Sequence, residues 1–332
     1  MGIEAFTAYL IEKDGDRVGG RLTTMSPAQL DDGELTIRVH FSSINYKDAL
    51  AATGAGKIIR RFPCVGGIDL AGEIVESADS RFRPGDAVVA TSFDLGVSHH
   101  GGYAQYARVP AKWVLPLPAG LTLFEAMALG TAGFTAGLAI VRMEANGLAP
   151  GNGPVVVTGA TGGVGGLAID MLSRLEYEVV ALTRKSSEEA YLRELGASSV
   201  EFVSDIDHAK VRPLERARWA GAVDNVGGPI LHWVLASMQQ AGAVASIGNA
   251  ASAELNTTVF PFILRGVSLL GVDSGYMGFP TRQHVWDRLA GDLKPRHLHD
   301  VTRTIDLADL PGAFQDYLHG RVKGRTVVRV LR

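Results

Sequence analysis

The chain has 332 residues, of which 46% are apolar and 20% charged, with a formal net charge of −3. That length exceeds what one hydrophobic core ordinarily serves and predicts two domains, while the weak charge lacks the basic footprint of a nucleic-acid binder. The lone cysteine, Cys64, excludes an internal disulfide framework and a cysteine-rich zinc cluster. No uninterrupted apolar stretch reaches membrane-spanning length, and the opening MGIEAFTAYLIEKDGD does not read as a signal peptide, so a cytoplasmic protein without a membrane or nucleic-acid partner is expected.

In chain order, FTAYLIEK, ELTIRVHFSSI, LAGEIVES, DAVVAT and YAQYARVP alternate or are β-branched, with turn signals such as RPGD at 83–86 between them. They predict a small, barrel-like, β-rich domain. Over 119–147 the apolar residues recur at helical spacing. From 154 strand and helix alternate: PVVVTGA, then VGGLAIDMLSRLE, YEVVALT, SSEEAYLRELGA, SSVEFV, AGAVDNVG, GPILHWVLASMQ, GAVASIG and VSLLGVDS. That βαβ rhythm predicts an α/β, doubly wound parallel sheet. After Ser274 come a helix, TRQHVWDRLAGDL, and a closing strand, GRTVVRVL. The expected domains are 1–125 with 275–332, and 126–274.

The stretch VVVTGATGGVGG at 155–166 carries five glycines between a strand and a helix. A side chain at Gly162 or Gly163 would block a pyrophosphate from the backbone, and Gly165 or Gly166 would let the helix pack on the strand. The N–H groups of the helix start would then face the phosphates. The plainer alternative is a flexible turn without a ligand. An NAD site usually places an acid after the second strand to hold the ribose hydroxyls. Here Thr183, Arg184 and Lys185 stand there, and the first acid is Glu188. Cations attract a 2′-phosphate, so NADPH is expected; a solvated basic turn is the alternative.

The domain order resembles the medium-chain dehydrogenase/reductase superfamily. Its alcohol dehydrogenases place zinc ligands at a cysteine and a His–Glu pair, where this chain has Asn45 or Tyr46 and then Ile68 and Asp69 in PCVGGIDLAGEIVE. Cys64 alone cannot complete a zinc shell, and His99 and His100 are neighbours whose side chains diverge on a strand. No metal is expected.

More closely, SINYKDALAATGAGKIIRRFP, GGIDLAG, GTAGFTAG, YLRELGAS, WAGAVDNVGG and PFILRGVSLLGVDS, with the glycine turn, resemble the acryloyl-CoA reductase family almost end to end. The resemblance implies a GroES-like catalytic domain beside a Rossmann domain, and metal-free reduction of acryloyl-CoA to propionyl-CoA with NADPH. It implies that Tyr46 lies beside the nicotinamide and that Thr161, Gly162, Gly163 and Val164 meet the phosphates. Thr183, Arg184 and Lys185 replace a Ser-Gly-Arg run of the family, and Ser199 stands where a basic residue can lie beside the adenosine. Further cofactor contacts fall on Asn249, Ile263 and Ser274.

Reduction of an enoyl thioester needs hydride delivery to the β-carbon, stabilisation of the thioester oxygen and a proton for the α-carbon. Tyr46 is the first candidate for the reacting centre, against the reading of a core aromatic. Asn45 would donate to a carbonyl or cap a turn. Thr131 would approach the nicotinamide amide or stand at a helix N-terminus. Lys57, Arg60 and Arg61 are candidate contacts for coenzyme A, or a solvated loop. A homodimer paired through VSLLGVDS is expected. The alternatives are an NADPH:quinone or enal reductase, and an NADPH-binding protein without turnover.

Overall fold

The computed structural model describes residues 4–207 and 210–331. Its elements are β1 (Phe6–Asp14), β2 (Arg17–Met25), β3 (Leu35–Ser43), α1 (Tyr46–Thr53), β4 (Cys64–Val65), β5 (Asp69–Ser77), β6 (Ala87–Thr91), β7 (Tyr106–Val109), β8 (Val114–Pro116) and α2 (Leu123–Ala145). Then follow β9 (Val155–Thr158), α3 (Gly163–Arg174), β10 (Val179–Thr183), α4 (Glu189–Glu194), β11 (Ser199–Phe202), β12 (Trp219–Asp224), α5 (Gly228–Ala236), β13 (Met238–Ser246), α6 (Phe260–Arg265) and β14 (Ser268–Gly271). The chain closes with α7 (Phe279–Ala290), β15 (Thr302–Asp306), α8 (Leu310–Leu318) and β16 (Arg325–Arg329).

Two compact units emerge: Met1–Thr131 with Gly275–Gln283 and Leu298–Arg332, and Ala132–Ser274 with His284–His297. The division falls after Thr131 and not after 125, and residues 284–297 group with the second unit although 275–332 was expected whole in the first. The reason is apolar burial. Val285, Trp286 and Leu289 of α7 are buried, and Trp286 stacks on Phe134 of α2.

In the first unit a sheet runs β15-β16-β3-β5-β6-β8, with β7 also paired to β3, and a three-stranded sheet runs β2-β1-β4. Strands β3 and β5 alternate poorly because both faces are largely covered; Leu35, Ile37, Val39, Leu70 and Ile74 are buried. Each such side chain contributes about 1.5–3 kcal/mol. Strand β2 joins β1 through a two-residue hairpin at Gly15 and Asp16, Gly15 having φ +56°.

In the second unit six parallel strands run β11-β10-β9-β12-β13-β14. Strand β9 is wholly buried, as a central parallel strand covered on both faces must be. Helix α2 has 23 residues and is long and apolar enough to cross a membrane, but 83% of its apolar window is buried within the protein. Its sequence hides that length because Glu125, Arg142 and Glu144 interrupt it, and Gly130 (φ 52°, ψ −154°) breaks it into two helices.

Candidate active site

The phosphate turn follows β9. Gly159 adopts φ +60°, a conformation in which a Cβ is costly. Gly162 is exposed and is the N-cap of α3, with φ −75° and ψ 168°, ordinary for any residue. A Cβ on it would meet only the Gly159 carbonyl oxygen, at 3.3 Å. The backbone does not demand glycine there, and the contact is tight without being an overlap. Gly165 differs, because its Cβ would lie 2.5 Å from the Gly159 oxygen and 3.0 Å from the Ala160 Cα. Residue 165 must be small for α3 to approach the turn, whereas residue 162 is open to solvent. No side chain caps α3, so its first N–H groups present their partial positive charge outward. Thr161 is buried beneath the turn, and Gly163 and Val164 open the helix.

Beside the turn lies a buried network that the sequence reading missed. Asp224, at the end of β12, accepts the Thr158 hydroxyl at 2.7 Å and the Gly227 N–H at 2.8 Å. Asn225 donates its N–H to the Thr158 hydroxyl oxygen at 3.0 Å and its side-chain amide to the Thr158 carbonyl at 2.8 Å. Burial pushes the Asp224 carboxyl up. These bonds tie the carboxyl ends of β9 and β12, the neighbours where the strand order reverses and where doubly wound sheets take their ligands.

Thr183 ends β10; it is buried, and its hydroxyl accepts the Lys185 N–H at 3.0 Å. Arg184 is exposed and Lys185 half-buried. The structure thus brings these two cations to the carboxyl end of the strand beside β9. Ser199 begins β11, alongside β10. Asn249 is exposed just beyond β13. Ser274 accepts the hydroxyl of Thr135 at 2.8 Å. Ile263 is 67% exposed on α6, in company with exposed Val259, Phe260 and Leu264.

The first unit holds a second buried polar web, centred on Asp69, which is fully buried. One carboxylate oxygen accepts Ser43 Oγ at 2.6 Å, Asn45 Nδ2 at 2.7 Å and the Thr131 N–H at 2.9 Å. The other accepts the Thr131 hydroxyl at 2.5 Å. With that proton committed, the Ser92 hydroxyl, 3.0 Å away, donates to Thr131. Buried Arg325 donates to Ser43 Oγ at 3.0 Å and to the Ala128 carbonyl at 2.9 Å. A Cβ at Gly130 would strike Asp69, Ser43 and Arg325 within 2.8 Å, which explains the glycine at the break in α2.

Asn45 is the N-cap of α1, and Asp48 accepts its N–H at 2.8 Å. Asp48 also accepts the Ile68 N–H at 3.0 Å. Burial, and then the Asp69 charge, push the Asp48 carboxyl up to about 7. The Asn45 amide is therefore engaged inside the protein, whereas Tyr46, the first residue of α1, is 54% exposed. The web sets the start of the helix that presents Tyr46.

The residues at the superfamily's metal positions do not fit a metal. Ile68 offers no donor, Asn45 donates to Asp69, and both Asp69 oxygens are filled. Among the described residues no group of three or more His, Cys, Asp or Glu could hold one. Cys64 is buried, its thiol pushed up to about 12 by burial. His100 Nδ1 accepts the Val65 N–H at 2.9 Å, and the ring nitrogens of His99 lie 3.1 Å from the backbone oxygens of His100 and Asp32.

Fold and site define the class: a medium-chain reductase, with a GroES-like unit and a Rossmann unit. Residues 31–119 match the alcohol dehydrogenase GroES-like domain. The "Putative quinone oxidoreductase YhfP" of Bacillus subtilis is 47% identical over 98% of this chain and 99% of its own. Its crystal structure with NAD bound covers 98% of this chain and 99% of that one with a TM-score of 0.96. The acrylyl-CoA reductase AcuI of Ruegeria pomeroyi is 45% identical over 98% of this chain and 99% of its own. The yhdH oxidoreductase of Salmonella enterica, in complex with NADP, is 44% identical, covering 98% of this chain and 100% of that one with a TM-score of 0.95. The chain belongs to the family of these acrylyl-CoA reductase and YhfP proteins within the medium-chain dehydrogenase/reductases.

Proposed function

We propose that the protein is an NADPH-dependent reductase of short 2-enoyl-CoA thioesters, with acryloyl-CoA converted to propionyl-CoA. The observation that carries the substrate is the nearly full-length likeness to an acrylyl-CoA reductase, 45% identical. The cofactor is supported by the open approach at Gly162 and by the two cations that follow β10. NADPH, when bound, supplies the hydride that the electron-poor β-carbon accepts.

The chain's own residues bind, orient and polarise. Gly162, Gly163 and Val164, with Thr161, hold the pyrophosphate on the N-terminus of α3. Thr183, Arg184 and Lys185 take the 2′-phosphate. Asn249, Ile263 and Ser274 contact the remainder of the dinucleotide. Tyr46 attends the nicotinamide end, and Thr131, whose N–H and hydroxyl proton are given to Asp69, approaches it through its hydroxyl oxygen or backbone. Tyr46 carries an exposed hydroxyl able to donate to the thioester oxygen as negative charge gathers there. Asn45 acts through Tyr46 as a positioning residue, because its amide is committed to Asp69. The α-carbon proton comes from solvent.

A second reading, an NADPH:quinone or enal reductase, is favoured by the name borne by YhfP. We also infer a homodimer. β14 is the edge of the parallel sheet, and exposed Val259 and Leu264 lie on and beside α6, so a two-fold pairing of β14 with its copy would bury unpaired backbone groups. A cytoplasmic setting accords with the single buried thiol. The reaction is tested with NADPH carrying deuterium at both hydrogens of nicotinamide C4. Deuterium on C3 of propionyl-CoA, read by mass spectrometry, is the expected result; propionyl-CoA without label, or none at all, contradicts the reading.

A further inference from the structure

The first unit contains an aromatic assembly that the hydride-transfer chemistry does not use. Two consecutive non-glycine residues after β6, Ser92 (φ +66°) and Phe93 (φ +51°), are left-handed. Such residues cost about 1–3 kcal/mol each and persist where the surroundings hold them. Here the surroundings are specific. Ser92 turns inward to the Thr131 hydroxyl. Phe93 lies parallel to Trp113 with ring centres 5.7 Å apart, and the Arg282 guanidinium sits 4.5 Å from its ring centre. Arg282 is 2% exposed and donates to the Thr91 carbonyl and hydroxyl and to the Gly275 carbonyl. The strained pair is thus fixed on a rigid floor.

At the outer edge of that floor stands Tyr276, 54% exposed, with its ring edge-on to Phe93. Its hydroxyl donates to Asp94 at 3.1 Å. The carbonyl of Asp94 accepts three N–H groups, from Val97, Ser98 and His99, so this loop is also rigid. Arg60 lies 4.0 Å from the same carboxylate oxygen and its side chain is 68% exposed. That is a loose ion pair without a hydrogen bond, and the largely exposed guanidinium can still reach an anion. Arg61 is unlike it, because it is paired with Asp31 at 2.5 Å. The structure separates two arginines that the sequence could not.

We propose that Arg60, Asp94 and Tyr276 form a subsite for the phosphorylated pantetheine arm of coenzyme A. The proposal rests on the acyl-CoA reading above and assigns that substrate's non-reacting part. Arg60 takes a phosphate of the arm. Asp94 accepts an N–H or O–H of the pantetheine. The exposed Tyr276 ring, held edge-on by Phe93, packs against its dimethyl-bearing segment. Binding energy gathered on this arm would hold the small acryloyl group, which offers little surface of its own.

The test is a calorimetric titration with coenzyme A and with pantetheine, which lacks the phosphates. Wild type is expected to bind coenzyme A more tightly than pantetheine. Arg60→Ala should weaken coenzyme A about tenfold, as loss of one charge-assisted contact does, and narrow the gap to pantetheine by the same factor. Tyr276→Ala should weaken both ligands. Arg81→Ala, removing another surface arginine, is the control and should change neither. NADPH titration checks that each variant is folded. The proposal is overturned if wild type does not bind coenzyme A, if Arg60→Ala binds it normally, or if Arg60→Ala weakens both ligands equally. A wild type that binds coenzyme A through Arg60 yet leaves acryloyl-CoA unreduced would overturn the reaction and leave the subsite standing.

Discussion

Alanine at residue 162 and alanine at residue 165 should have opposite consequences, although both remove a glycine from the same turn. At Gly162 the backbone already suits alanine (φ −75°, ψ 168°). Restricting the unfolded chain there contributes about 0.4–1 kcal/mol of stability, and the 3.3 Å contact with the Gly159 oxygen takes part of it back. The net change should lie within about 0.5 kcal/mol. At Gly165 the Cβ meets backbone at 2.5 Å, and overpacking of that kind costs about 1–3 kcal/mol. That corresponds to a fall in Tm of roughly 5 °C for a unit of this size. NADPH affinity separates the two further. A methyl group at 162 would stand in the open approach to the helix N–H groups, and losing one or two charge-assisted hydrogen bonds should weaken binding about a hundredfold. Calorimetry without cofactor gives Tm, and NADPH fluorescence titration gives Kd. A Gly162→Ala protein that binds NADPH like wild type, or melts as early as Gly165→Ala, would refute the reasoning.

Three further outcomes are expected. Asp48, raised from 3.8 to about 7 in the folded protein, keeps its proton between those values while the unfolded chain has lost it, so its contribution to stability falls as pH rises through that window and levels off above about 7. Urea unfolding across pH should show that slope in wild type and lack it in Asp48→Asn; an equal slope in both would remove Asp48 as its source. Tyr46→Phe should leave Tm nearly unchanged, since the side chain is exposed, and lower kcat/KM about tenfold or more; unchanged steady-state kinetics would strip the hydroxyl of its part. The double change Arg184→Ala with Lys185→Ala should raise the Kd for NADPH far more than that for NADH, and equal losses would sink the 2′-phosphate assignment.

The second unit was legible because its central strands are buried and largely apolar and its glycine turn sits where a strand meets a helix. Val155–Thr158 and Val179–Thr183 lie within the runs read as strands, and Trp219–Asp224 begins one residue before its run. Strand β2 was missed because RVGGRLTTM is exposed along most of its length and carries no buried periodicity. Strand β15 escaped for a similar reason, because Thr302–Asp306 buries no residue fully; helix α8 went unread although Leu310, Ala313 and Phe314 are buried at helical spacing. The helix read through Met238 and Gln239 stops at Ala236, because those residues pair into β13.

The site was only half legible. Asp69 was read by what it replaces, and its work as the acceptor for Ser43, Asn45 and Thr131 depends on three segments distant in sequence. A signal was present in each case. Asp69 in GGIDLAG, Asp224 in GAVDNV and Arg325 in GRTVV are charges set against short apolar runs, and a charge buried there must find partners. The arginine pair at 60 and 61 carried no such signal, because only the fold decides which of the two meets Asp31.

The most direct test of the account follows NADPH absorbance with acryloyl-CoA, with free acrylate and a simple quinone as parallel acceptors and NADH as the alternative donor. The account predicts rapid loss with acryloyl-CoA alone, and much slower loss when NADH replaces NADPH. Loss with the quinone only would contradict it and move the activity to the quinone reading, with fold and cofactor intact.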